Sequence, residues 1–68
     1  ETEAESLLRE GLAVAPQAAA LHHALGLSLV RQQRKDEALR ELRRATELDP
    51  SNPRFRYVYD VARAELGG

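Results

Sequence analysis

Displaced by 34 residues, the sequence lies on itself. Ala15-Pro16 falls on Asp49-Pro50, Glu3 on Glu37, Ala4 on Ala38, Leu8 on Leu42 and Arg9 on Arg43, with Leu21 on Phe55 and Leu25 on Tyr59; Glu10 over Arg44 is a departure. A unit this short cannot bury its own apolar face, so units of this kind gain a core by stacking on one another. The chain has 68 residues, and one of that size hides only about 60% of its unfolded surface. Its core must be thin.

The repeating unit is helical. Prolines at 16, 50 and 53 punctuate segments whose apolar residues recur at spacings of three and four, with no strand-like alternation. Leu and Ala dominate the apolar content, while Ile, Met, Trp and Cys are absent, which is the chemistry of helix formers. The punctuation predicts four helices, at Thr2–Ala15, Gln17–Gln33, Asp36–Leu48 and Pro53–Leu66. Asn52 can cap the fourth, and Pro53 suits its first position because its φ is already helical and it wastes no N–H. Gly67-Gly68 forms the expected stop. Asp36 and Glu37 place negative charge at the positive end of the third helix.

A 34-residue helix-turn-helix period resembles the tetratricopeptide repeat, whose pattern runs W-x2-L-G-x2-Y, A-x3-F, then P. Here the middle of the chain reads His22-x2-Leu25-Gly26-x2-Leu29, Ala38-x3-Leu42, then Pro50. Leu25-Gly26, Ala38, Ala45 and Asp49-Pro50 match best, and the likeness is to a short piece of a bacterial-type member. His22, Leu29 and Leu42 replace aromatic residues of the pattern, and Gln33 stands where a turn glycine is usual. The resemblance implies an all-α fold of antiparallel helix-turn-helix repeats stacked as a right-handed superhelix. It would comprise a half repeat at 1–18, a full repeat at 19–52 and a terminal capping helix at 53–68. Gly26 and Ala38 are small enough to let two antiparallel backbones approach, with Leu25, Leu29, Leu42 and Leu48 filling around the contact.

Such repeats bind on the concave surface made by the first helix of each pair. Carried over position by position, that surface presents Ala20, His23, Leu27, Val30 and Arg31, then Arg54, Tyr57, Val61, Ala64 and Glu65. The expected partner-binding residues are His23, Leu27, Arg31, Arg54, Tyr57 and Val61. Tyr57 and Tyr59 are two residues apart and must face different sides; Tyr59 aligns with Leu25 and belongs to the core, leaving Tyr57 for contact, as tyrosine is enriched at interfaces. Some family members grip a terminal carboxylate with a Lys/Asn/Arg set on these helices. Among His23, Leu27, Arg31, Tyr57, Val61 and Glu65 only Arg31 fits, so a partner with apolar or mixed side chains is expected.

Other chemistries find little support. Ten basic and 11 acidic residues give a net charge of −1, with no field of one sign to attract nucleic acid or anionic lipid, so nucleic-acid binding through the basic face of the third helix is the less favoured alternative. The cations Arg31, Arg34, Lys35, Arg40, Arg43 and Arg44 are interleaved with Asp36, Glu37, Glu41 and Glu47, as on an ordinary solvated helix face. His22 and His23 diverge by about 100° on a helix and cannot share an ion, and no third ligand stands at metal-binding spacing. The sequence carries no phosphate loop, nucleophile elbow or paired carboxylates, and it calls for no catalytic residue, cofactor or metal. No run approaches the roughly 18 apolar residues of a membrane span. Without cysteine the redox compartment stays open, and a cytoplasmic location is expected over export. Opening on Glu1 instead of Met, the chain reads as an excerpt of a longer protein.

The two ends differ in the faces they offer. Ala4, Leu8 and Gly11 align with the buried-type positions Ala38, Leu42 and Ala45, so the first helix is expected to show an uncovered apolar face and to support weak self-association. On the last helix Arg56, Asp60 and Arg63 form a charged stripe, opposite Phe55, Tyr59, Ala62 and Leu66, as expected of a cap with a polar outer side.

Overall fold

The computed structural model describes residues 2–66. They form four helices, α1 (Thr2–Val14), α2 (Ala19–Arg31), α3 (Lys35–Leu48) and α4 (Pro53–Leu66), with no strand among the described residues. The expected stop at Gly67-Gly68 lies outside them. None of these helices is long and apolar enough to cross a membrane. Each packs on the next in sequence, and the stack measures 31 × 27 × 14 Å.

Helix boundaries follow local chemistry. Asn52 caps α4 as its position requires: its Oδ1 accepts hydrogen bonds from the backbone N–H of Arg54 at 3.0 Å and of Phe55 at 3.3 Å. Gln17 and Ala18 stay outside α2, whose cap residue Ala18 has extended backbone and no side chain able to hold the free amides. Helix 2 also ends earlier than its sequence pattern predicts. Gln33 turns into the left-handed region at φ 61°, and Gln33 N–H and Arg34 N–H donate to the carbonyls of Val30 (2.9 Å) and Leu29 (3.0 Å). This pair of bonds is the Schellman motif, which favours glycine at the residue Gln33 occupies.

A left-handed side-chain-bearing residue costs about 1–2 kcal/mol, and glycine gives back about 0.5–1 kcal/mol of that in unfolded-state entropy. Gln33→Gly is therefore expected to stabilise the fold by about 0.5–1 kcal/mol. The check is a higher urea midpoint at unchanged slope.

The core lies along the α2–α3 contact. Leu25, Leu29, Ala38, Leu42 and Ala45 are fully buried, and Phe55 brings in α4 with 8% of its surface exposed. Gly26 makes the closest approach. A Cβ built there would lie 2.7 Å from both Cγ and Cδ2 of Leu42 and 3.2 Å from its backbone nitrogen. The crossing thus falls on Leu42, one turn beyond Ala38, which packs with Leu25 and Leu29. Leu48 is only half-buried.

Helix α1 presents a different face from the one its alignment with α3 suggests. Leu8 and Leu12 pack against the core, and Gly11 comes to within 3.0 Å of Leu21 Cδ1, measured from a built Cβ. Leu8 and Gly11 are therefore covered by α2, because the i, i+4 leucine pair is the largest apolar surface α1 can bury there. What stays open is Ala4 with Leu7 and Val14, the last two 62% and 88% exposed.

A charged knot fixes that docking. Glu5, 8% exposed, accepts hydrogen bonds from Arg9 Nε (2.9 Å), Gln32 Nε2 (3.2 Å) and Arg34 Nη1 (2.7 Å). Arg34 also grips Glu37 with two nearly parallel bonds, 2.9 and 2.8 Å. The Arg9 bond foremost, then Gln32 and Arg34, hold the Glu5 carboxyl below the usual carboxylate range against the opposing effect of burial. Glu37 is lowered too, chiefly by Arg34. Groups depressed in the folded state stabilise fully above the unfolded value of about 4.3, and lose that contribution as pH falls through the folded value. The melting temperature is expected to fall below about pH 4.3, with a shallower fall in Glu5→Gln; circular dichroism across an acid series tests it.

Candidate functional site

Helices α2 and α4 both lie on α3, and side by side they leave a furrow. Leu27 and Val30 of α2 face Tyr57, Val58, Val61, Ala62, Glu65 and Leu66 of α4 across a cavity of about 220 Å³, with Leu42 of α3 as its floor. Gly26 lets α3 come close beneath α2, which brings Leu42 up to the base of the furrow. Tyr57 is 69% exposed and Val61 38%, apolar surface that the fold itself leaves uncovered.

Leu27, Tyr57 and Val61, three of the six residues expected to bind a partner, line this cavity together. His23 does not line it. Its ring stacks on Phe55, centroids 4.5 Å apart and planes 26° from parallel, and its Nδ1 is covered with no hydrogen-bond partner. Burial first, and the nearby Arg54 charge second, lower its pKa, so the neutral ring is favoured in this aromatic contact. His23 therefore pins α2 to α4 at one end of the furrow, and Arg54 stands beside it there. Arg31, at the other end of α2, is exposed and has an interaction partner of its own.

The neighbouring histidine has another task. His22 sits between Glu41 Oε1 (Nδ1, 2.7 Å) and the Pro16 carbonyl (Nε2, 2.8 Å), joining the α1–α2 turn to α3. The two adjacent rings thus serve different contacts, as their angular separation requires. No group of three or more His, Asp or Glu able to hold a metal is found among the described residues.

On the opposite side of α3, a wider and more open depression of about 430 Å³ is bounded by His22, Arg40, Glu41, Arg43, Arg44 and Glu47. Its charges are largely matched. Glu47 accepts from Arg43 at 3.2 Å and lies 3.5 Å from Arg44, and Arg34 is drawn away into the Glu5 knot.

Leu27, Val30, Tyr57, Val61 and Glu65 of this lining are among the residues the family resemblance places on the concave face, whereas Val58, Ala62 and Leu66 are not; the His23–Phe55 stack is absent from that reading because it depends on how far apart α2 and α4 are held. The 34-residue spacing of Leu21 and Phe55 hides that contact, because Phe55 meets a different α2 residue from the one it aligns with.

Compared with known protein families, residues 19–52, half of the chain, match the family model of the tetratricopeptide repeat. No curated protein and no solved structure gives a match.

Proposed function

Since the chain belongs to the tetratricopeptide repeat family, whose repeats generally mediate protein–protein interaction, we propose that it is a non-catalytic module that takes a peptide or protein partner in the α2–α4 furrow. The observation that carries this reading is the apolar cavity with Tyr57 and Val61 left open on its rim. An exposed tyrosine beside aliphatic walls supplies large contact area at low entropic cost, the usual character of an interface anchor. The lining offers no cluster of cations for a terminal carboxylate, which favours a partner presenting apolar or mixed side chains. His23, Arg31 and Arg54 flank the furrow in this reading and shape its ends.

A partner recovered by pull-down with this chain tests it. Titrated into isotope-labelled chain, that partner is expected to move the amides of Leu27, Tyr57 and Val61 first, and Tyr57→Ala is expected to weaken binding about tenfold or more. Shifts confined to Arg40, Arg43 and Arg44 would instead place binding on the charged depression.

A second reading, self-association through α1, is favoured by Leu7 and Val14, which stand exposed with Ala4 on one stripe. Strictly monomeric sedimentation at millimolar concentration counts against it. We also take α4 as a capping helix. Its outer side carries the Arg56–Asp60 pair (3.3 Å), and Arg63 lies over the Tyr59 ring at 5.6 Å, so little on that side invites a further apolar helix.

A further inference from the structure

The α4 wall of the furrow is charged at its ends and apolar between them. Arg54 lies in the first turn of the helix and Glu65 in its last. Eleven residues apart, they are separated by about 16 Å along the axis and by only about 20° around it. Tyr57, Val58 and Val61 stand between them and line the cavity together with Glu65. Arg54 does not itself line the cavity, but it directly precedes Phe55, whose ring stacks on His23 of α2 at 4.5 Å, so it sits where α2 and α4 meet at one end of the furrow.

This polarity opposes the helix's own preference. A helix favours anions at its N-terminus and cations at its C-terminus; Arg63 in the last turn of α4 follows that preference, whereas Arg54 in the first turn and Glu65 in the last run against it. Arg54 and Glu65 are both solvent-exposed, so core packing does not require either. Charges that weaken the helix they sit on, at the two ends of an open apolar furrow, are arranged for something outside the fold.

We infer that the furrow takes an extended segment of a partner protein in which a bulky aliphatic side chain is flanked by an acidic residue at the Arg54 end and a basic residue at the Glu65 end. This rests on the furrow being the binding site, as proposed above. The cavity's 220 Å³ equals the liquid volume of about seven waters, room for one such side chain in the recess. An extended chain crosses about 16 Å in about five residues, which sets the spacing of the flanking charges. Opposite charge at each end then selects among apolar segments that would otherwise fit equally.

Four synthetic peptides with the same central leucine test the inference: one acidic and one basic end about five residues apart, two acidic ends, two basic ends, and neutral ends. Fluorescence anisotropy at low salt is expected to rank the mixed peptide tightest, by roughly threefold for each end corrected, with the advantage fading at high salt. Arg54→Glu is expected to transfer the preference to the two-basic peptide, and Glu65→Lys to the two-acidic one. Both substitutions suit the helix dipole better than the native residues, so the fold is retained. Equal binding of all four peptides, unmoved by either variant, overturns the charge selection and leaves the furrow as the site. Failure of every peptide to bind, the neutral one included, overturns both.

Discussion

Gly26→Leu is expected to lower the melting temperature by on the order of 10 °C or more. Even a single added carbon at this position would meet Cγ and Cδ2 of Leu42 at 2.7 Å, and the Leu42 backbone nitrogen at 3.2 Å limits how far that side chain can yield. A leucine must push α2 off α3 along the contact that buries Leu25, Leu29, Ala38 and Ala45. Overpacking of this kind costs about 1–3 kcal/mol. In a domain of 60–100 residues each kcal/mol shifts the midpoint by about 4–8 °C. Replacing glycine inside a helix also recovers up to about 1 kcal/mol of propensity, which the clash outweighs. Thermal unfolding by circular dichroism reads the effect. Adding Leu42→Ala should restore part of the loss, because the steric partner is then gone. A neutral Gly26→Leu would mean that α2 and α3 do not cross there.

Phe55→Ala carries the largest expected cost, about 3–5 kcal/mol. Phe55 is the one aromatic residue of the core, 8% exposed, and it holds α4 partly through its stack with His23. A single core in a chain this small supplies only about 3–5 kcal/mol in total, so the substitution removes most of what keeps α4 in place. Tyr57, Val58 and Val61 would then lose their orientation toward Leu27 and Val30, and the furrow would open. Urea unfolding gives the energy, and loss of amide dispersion along α4 shows where it acts. Phe55→Leu, which keeps an apolar side chain of comparable bulk without the ring, should cost much less. If Phe55→Ala leaves both unfolding and α4 unchanged, the helix is held by something other than this contact.

How much of this could be read from residue order depended on the range of the interaction. The Asn52-Pro53 cap and the Gly26 close approach came through because each is set by a few neighbouring residues or by a size requirement the repeat imposes. Helix α4 matched its predicted span for the same reason. Glu5 went unnoticed because a lone acid on an otherwise exposed stretch of α1 looks solvated; it is buried only because the Schellman turn delivers Gln32 and Arg34 to it across 27 and 29 residues. The face of α1 was misjudged for a related reason, since alignment with α3 fixes helical phase but not which neighbour that phase will meet. In the furrow, Leu27, Tyr57 and Val61, carried over from the family resemblance, line one cavity, whereas His23 is drawn into an aromatic contact that no spacing rule anticipates.

Leu42 belongs to two structures at once. It is the fully buried side chain beneath Gly26, and it is the floor of the furrow. An occupant of the furrow would therefore hold Leu27 and Val30 against Tyr57 and Val61 directly above the side chain that sets the distance between α2 and α3, and holding them in place favours the folded state over the unfolded one. Occupancy and folding become linked equilibria: at a hundred times its dissociation constant, a ligand that binds only the folded form adds about 2.7 kcal/mol, comparable to most of what a chain this small has of its own. A module with so thin a core would thus acquire much of its rigidity from whatever occupied the furrow.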